Sequence, residues 1–322
     1  MAVIAFMMTL SASAQFYIYY SDGTVAKVDS ISMIAPGGTD TPDTPIEPEE
    51  PTTPSAGIGV FSVAEGKTVT FSPGNLQYTQ STNKWSFAEN QWDYIGTNNV
   101  IGGSVSSDVS GDYEGGTALA DKVDLFGWST SANNFGVSTS TDYDDYSGAF
   151  VDWGTNKIGN DAPNTWRTLS HDEWTFLFHR RANADSLFAL GSVNNVNGII
   201  ILPDNWITPN DLTFVTSVTK GLYWDETFDF YRDWEDVDYF SNNTYTHSQW
   251  QEIEALGGVF LPVAGSRDGT DVRRVGSYGE YWSSIGDEGY WAHDIRFSSN
   301  VLFLSSSLNR IFGHSVRLVK DL

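Results

Sequence analysis

"SHDEWTFLFHRR", residues 170–181, is the stretch on which the fold turns. Ser170 followed three residues later by Glu173 is a capping box: the hydroxyl accepts from the backbone N–H of 173 while the carboxylate accepts from that of 170. Trp174, Leu177, Phe178 and Arg181 then recur at helical spacing. A second stretch, "THSQWQEIEALGG" at 246–258, repeats the arrangement. Thr246 and Gln249 make the box, Trp250, Ile253 and Leu256 the apolar stripe, and Gly257 the C-cap. The Trp, Phe and Leu residues of both helices are expected in the core.

Outward from the helices the chain breaks into short apolar pieces bounded by Gly and Asn. Among them are "GVFSVAEGKTVTFSPG" (59–74), "GIIILPDNW" (198–206), "GGVFLPVAGSR" (257–267) and "HSVRLV" (314–319). Two capped helices among many strands predict an α+β domain over residues 58–322. Upstream, alternating apolar positions flank Ser21-Asp22-Gly23, so residues 15–35 read as a small β-hairpin. Residues 36–57 are rich in Pro, Thr and acid, a composition that stays extended and makes a semi-rigid linker. Residues 1–14, "MAVIAFMMTLSASA", end an apolar run on the small residues Ala12-Ser13-Ala14. That is the form of a secretory signal peptide, although the positive n-region is missing. The expected location is therefore the cell surface or the medium.

Of 322 residues, 41 are Asp or Glu and 17 are Lys or Arg, a formal charge of −24. That sign opposes nucleic acid and anionic membranes as partners, since both require basic patches. It suits a protein that takes up Ca²⁺ through carboxylates, and no other cofactor is expected. There is no cysteine, which removes disulfides, thiolate metal sites, a thiol nucleophile and a lipid-anchoring residue.

The five histidines, His171, His179, His247, His293 and His314, have no zinc-site spacing, and no nucleophile elbow, Walker loop or dinucleotide fingerprint is present. Two acidic clusters interleave carboxylates with rings: "TDYDDYSG" (141–148) and "YWDETFDFYRDWEDVDYF" (223–240). Three readings stand open for them: a solvated acidic loop with aromatic anchors, a calcium site, or a sugar-stacking surface. Paired carboxylates in 223–240 keep a carbohydrate-active enzyme as a minor reading.

With "TWRTLSHDEWTFLF" (165–178), "GIIILPDNW", "GGVFLPVAGSR", "GEYWSS" (279–284) and "GHSVRLV" (313–319) in this order, the chain resembles the formylglycine-generating-enzyme-like branch of the C-type-lectin fold. It is similar in particular to secreted FISUMP-type proteins of gut Bacteroidetes, several of which are variable proteins of diversity-generating retroelements. The resemblance covers most of 58–322 and implies a C-type-lectin-like fold with short twisted sheets. It does not carry catalysis, because those enzymes work through active-site cysteines and this chain has none.

The resemblance implies that the last strands and loops present a ligand face. Tyr281, Trp282, Ser283, Ser284, Phe297, Val301, Arg310, Gly313, Ser315, Val316 and Arg317 stand at framework positions of the pattern. The intervening variable positions between Ile285 and His314 hold residues that an asparagine codon reaches through its adenines, Glu288 and Trp291 excepted. "VLFLSSSLNRIF" (301–312) sharpens the expectation. With Val301 turned inward, at least one of Leu302, Phe303 and Leu304 must face out. The expected contacts are Tyr290, Trp291, His293, Asp294, Arg296, Phe303, Leu308, Ile311 and Phe312, recognising a protein or glycan ligand without turnover. A structural or tip subunit of a fimbria-like assembly is the alternative.

Overall fold

Both capping boxes form. In the computed structural model, Ser170 Oγ accepts from the amide of Glu173 at 3.2 Å and Glu173 returns to the amide of Ser170 at 2.8 Å. Thr246 and Gln249 do the same for the later helix. The structure describes residues 16–19, 25–28, 59–99, 113–115, 121–235 and 237–322. The secretory signal at 1–14 and the linker at 36–57 lie outside the described residues.

The chain divides into a unit of residues 1–51 and a unit of residues 52–322. In the first, β1 (Phe16–Tyr19) pairs antiparallel with β2 (Val25–Val28), Phe16 opposite Val28 and Tyr19 opposite Val25. This is the register a hairpin around Ser21-Asp22-Gly23 requires.

The second unit is a mixed α+β assembly, mostly sheet with a few short helices. Its opening strands, β3 (Phe61–Ala64) and β4 (Lys67–Phe71), join β21 (Leu318–Asp321) and β9 (Arg167–Thr168) in the order β3-β4-β21-β9. Beside it lies a small sheet of β6 (Lys84–Phe87), β5 (Leu76–Thr79) and β8 (Lys122–Val123). A third sheet runs β14 (Thr244–Tyr245), β10 (Phe188–Val193), β11 (Val196–Ile201) and β15 (Val259–Pro262). A fourth joins β16 (Ser266–Asp268), β17 (Asp271–Arg273) and β7 (Tyr113–Gly115). The fifth carries the C-terminal region: β12 (Tyr223–Asp225), β13 (Phe230–Arg232), β20 (Val301–Asn309), β19 (Trp291–Ser298) and β18 (Gly279–Gly286).

Among the described residues four apolar clusters hold these layers, three large ones and a small one of Leu125, Ala264 and Val272. The largest packs Trp174, Leu177 and Phe178 of the first helix between Phe61 and Phe71 on one side and Ile295, Phe297, Leu302 and Leu304 on the other. The second gathers Trp85, Phe126, Trp128, Trp153, Trp282 and Val316. The third seats Trp250 and Ile253 of the later helix against Phe260 and Ile200. Burying these side chains stabilises the fold at about 25 cal/mol per Å² of apolar surface removed from water.

Two expectations need correction. The first helix, α1 (His171–Thr175), widens into a π-helical turn over Phe176–Arg180, so Arg181 lies beyond its end. Arg181 is buried there and pairs with Asp204 at 3.0 Å. After α2 (Ser217–Lys220), the helix α3 (His247–Ala255) stops one residue before Leu256, which is 49% exposed. The chain reverses at Gly257, whose φ of +91° favours a residue without Cβ, and the turn carries Leu256 out of the apolar stripe.

Glu173 ties α1 to the first sheet. Its carboxylate accepts from Arg167 Nη1 at 2.7 Å, Arg167 Nη2 at 2.9 Å and Lys67 Nζ at 2.7 Å. Arg167 also pairs with Asp321 at 2.8 Å, so one ion network spans β4, β9, β21 and the helix start. Among the described residues no helix is long and apolar enough to cross a membrane.

Candidate ligand-binding face

β18, β19 and β20 form an antiparallel triplet whose register decides which C-terminal side chains reach solvent. Phe297 stands opposite Leu302 and Arg296 opposite Phe303, while Asp294 stands opposite Ser306 and Ala292 opposite Leu308. Between those pairs Ile295 faces two residues, Leu304 and Ser305, so β20 carries a bulge. The extra residue reverses the in–out parity along the strand.

That parity answers the apolar run at 301–304. Leu302 and Leu304 are fully buried in the largest core, while Val301 and Phe303 are half-buried on the opposite face. The strand does alternate, with Val301 outward rather than inward. Phe303 is apolar because it has a partner: its ring lies 4.6 Å from that of Phe230 across the β13–β20 pair. Beyond the bulge Leu308 turns the other way and packs half-buried against the second core.

The nine expected contacts separate accordingly. Tyr290 and Trp291 are 42% and 47% exposed. His293, Arg296, Phe303, Leu308 and Phe312 are half-buried. Asp294, with no exposed surface, and Ile311, at 6%, are buried, so neither side chain can touch a ligand docked on the surface. The set is also split between the two sheet faces, Trp291 and His293 on the face of Ile295, Arg296 and Leu308 on the other.

One exposed group lies at the turn between β18 and β19. Tyr290 packs on Tyr143 in a tilted ring pair with centroids 5.1 Å apart, and its hydroxyl donates to Asp144 at 3.4 Å. Tyr143 is 45% exposed and Ile285, on the neighbouring strand, 43%. The "TDYDDYSG" stretch is thus a loop held by one anchor. Tyr146 is fully buried and its hydroxyl donates to the carbonyls of Ser138 and Ser140, while Tyr143 is left outside. Arg310 fixes the group from beneath, donating to the carbonyls of Trp291 at 2.9 Å, Asp287 at 3.2 Å and Gly148 at 3.4 Å. Arg267, buried at 1%, likewise donates to the carbonyls of Gly269 and Ser138 and braces the approach to this loop.

Sequence reasoning missed three clusters made by distant residues. His171 and His293 meet as a tilted ring pair, centroids 4.5 Å apart, between α1 and β19. His314 is fully buried, stacked 4.0 Å from Trp282, with Nε2 3.5 Å from Glu280 and Nδ1 3.7 Å from Asp294. Burial, with Glu280 adding to it, pushes Asp294 up to about 7, and burial holds His314 down to about 4. The third cluster joins "YWDETFDFYRDWEDVDYF" to β20. Tyr231 and Tyr239 are buried anchors, whereas Phe228 and Trp234 are 61% and 71% exposed. Among the described residues no three or more His, Cys, Asp or Glu side chains gather as a metal-holding group.

No protein-family model, curated protein or solved structure matches this chain.

Proposed function

We propose that residues 58–322 are a C-type-lectin-like domain of an exported, surface-displayed protein, which recognises a protein or glycan ligand without turnover. The observation that supports this most is the exposure of Ile285, Tyr290 and Trp291 in and beside the β18–β19 turn held by Arg310, with Tyr143 of the neighbouring loop packed on Tyr290. Large rings on a fixed scaffold lose little side-chain entropy when covered, and each contributes about 1.5–3 kcal/mol before association costs. The order of motifs from "TWRTLSHDEWTFLF" to "GHSVRLV" supports the fold assignment. Retroelement diversification of residues 285–314 belongs to the same proposal.

The binding test probes arrays of purified glycans and of purified cell-surface proteins with the labelled protein and with Y290A/W291A. Signals lost in the double variant support the face; signals indifferent to it overturn the assignment. For diversification, the neighbouring DNA should carry a reverse transcriptase gene and a near-copy of the codons for 279–319 that differs at adenines. A locus with neither removes that half of the proposal.

A further inference from the structure

A ladder of cations and rings crosses the other face of the C-terminal sheet. Arg296 on β19 lies 4.9 Å from the ring centroid of Phe303 on β20. Phe303 lies 4.6 Å from Phe230 on β13. Arg232, two residues on, sits 5.0 Å from Phe230, 5.6 Å from Phe228 and 3.3 Å from Trp234. Strand register produces the order, since Phe230, Phe303 and Arg296 stand directly opposite one another.

The outer end of the ladder is anchored at its backbone and its cation, although its rings are exposed. Asp225 pairs with Arg232 and holds its guanidinium in place. The Trp234 loop is pinned to the β19–β20 turn, because the amide of Asp233 donates to the carbonyl of Asn300 at 3.0 Å and that of Tyr239 to Ser299 at 2.9 Å. Tyr239 also donates to the Asp233 carboxylate at 2.6 Å. Yet the last rings, Trp234 and Phe228, are 71% and 61% exposed, and Tyr223 beside them is 40% exposed.

The geometry points to a docking surface for a basic polypeptide segment, whose arginine or lysine side chains extend the ladder over Trp234 and Phe228. The far face of each ring also carries the negative side of the quadrupole, and the Asp225 carboxylate offsets the Arg232 charge that would otherwise repel a second cation. Glu226, Asp229, Glu235 and Asp238, all exposed, and the half-buried Asp233 share the 226–238 stretch with these rings, and Arg232 is already paired with Asp225, so the local charge complements a cation. Along β20 this surface lies about 20 Å from the Tyr290 turn, at about 3.3 Å per residue between positions 303 and 309. It is independent of the face proposed above.

The test uses hexa-arginine peptide as probe, with hexaglutamate and the neutral sugar cellohexaose as comparisons, by calorimetry at 50 and 300 mM NaCl. Hexa-arginine is expected to bind wild-type protein, weakening with salt, and F228A/W234A to weaken it about tenfold at unchanged net charge. Thermal melting of F228A/W234A within a few degrees of wild type would show that the rings are not structural. Y290A/W291A should bind the peptide as wild type does. The proposal is overturned if F228A/W234A binds hexa-arginine as tightly as wild type, which would leave only overall charge attraction. It is equally overturned if cellohexaose binds and the peptide does not, which would make the rings a sugar platform.

Discussion

The guanidinium of Arg310 lies 4.3 Å over the ring of Trp128, and the indole N–H of Trp128 in turn donates to the carbonyl of Ser283 at 3.0 Å. One stacked pair therefore joins the second core to both strands that flank the exposed turn. Arg310→Ala removes a donor from the carbonyls of Trp291, Asp287 and Gly148, of which that of Trp291 keeps the Asp287 amide, at about 1–3 kcal/mol for each lost partnership that water does not replace. A fall in melting temperature of roughly 5–10 °C is expected. Arg310→Lys should recover only part of it, because an ammonium cannot reproduce the planar fork. Equal melting temperatures for wild type and R310A would mean that the turn is held by something else.

The bulge in β20 makes a prediction about neighbours. Leu302→Ala and Leu304→Ala each empty a fully buried site and should cost about 2–5 kcal/mol in chemical denaturation. Phe303→Ala, half-buried on the opposite face, should cost about 1 kcal/mol. A strand paired one residue out of this register would invert the ranking.

Asp294 and His314 oppose each other in acid. The Asp294 carboxyl is raised from 3.8 to about 7, so the folded state holds its proton more tightly and stability falls as pH climbs through that window. His314 is lowered from 6.5 to about 4, so the unfolded state takes the proton more readily and stability rises over the same range. The two slopes offset between pH 4 and 6.5. Asp294→Asn removes one of them, so D294N should gain on wild type as pH rises from 4 to 8, by a few kcal/mol at most. Urea melts at pH 4.5, 6 and 8 measure this, and a pH-independent difference between the two proteins would contradict the assignment.

Glu173 behaves in the opposite sense. Burial pushes its carboxyl up, but hydrogen bonds from Arg167, Lys67 and the Ser170 amide outweigh burial and hold it below its ordinary 4.5. Its contribution is present above pH 4.5 and is lost as pH falls through the depressed value. Glu173→Gln should therefore be destabilised at pH 7, and its deficit should shrink toward pH 3. A deficit that stays constant on acidification would show that the ion network carries no stability.

The helices were legible because their signals are local. Ser170, Glu173, Thr246 and Gln249 specify their caps within four residues, whatever the rest of the chain does. The π turn after Thr175 has no such local signature, which is why Arg181 was misplaced. The exposed face was half legible. Tyr290 and Trp291 could be named, but Asp294 could not be withdrawn without knowing where β20 changes parity, nor Ile311 without knowing that the turn after β20 folds it inward. The partners that give the clusters their chemistry, Tyr143 for Tyr290, His171 for His293 and Phe230 for Phe303, lie far away in sequence and leave no trace in periodicity.

The order of the C-terminal sheet also bears on how copies of this protein behave when crowded together. At one side the sheet ends on β12, whose three residues offer little free ladder and whose Asp225 is tied back to Arg232. At the other, β18 is closed by bridges from Gly265 to Gly279 and from Ser315 to Tyr281, and by the amide of Ser284 donating to Leu169. Neither margin presents the long, unpaired backbone row that templates strand addition between molecules. A hairpin that carries exposed rings thus also blunts an edge, so sticky side chains and a non-polymerising backbone coexist on one sheet.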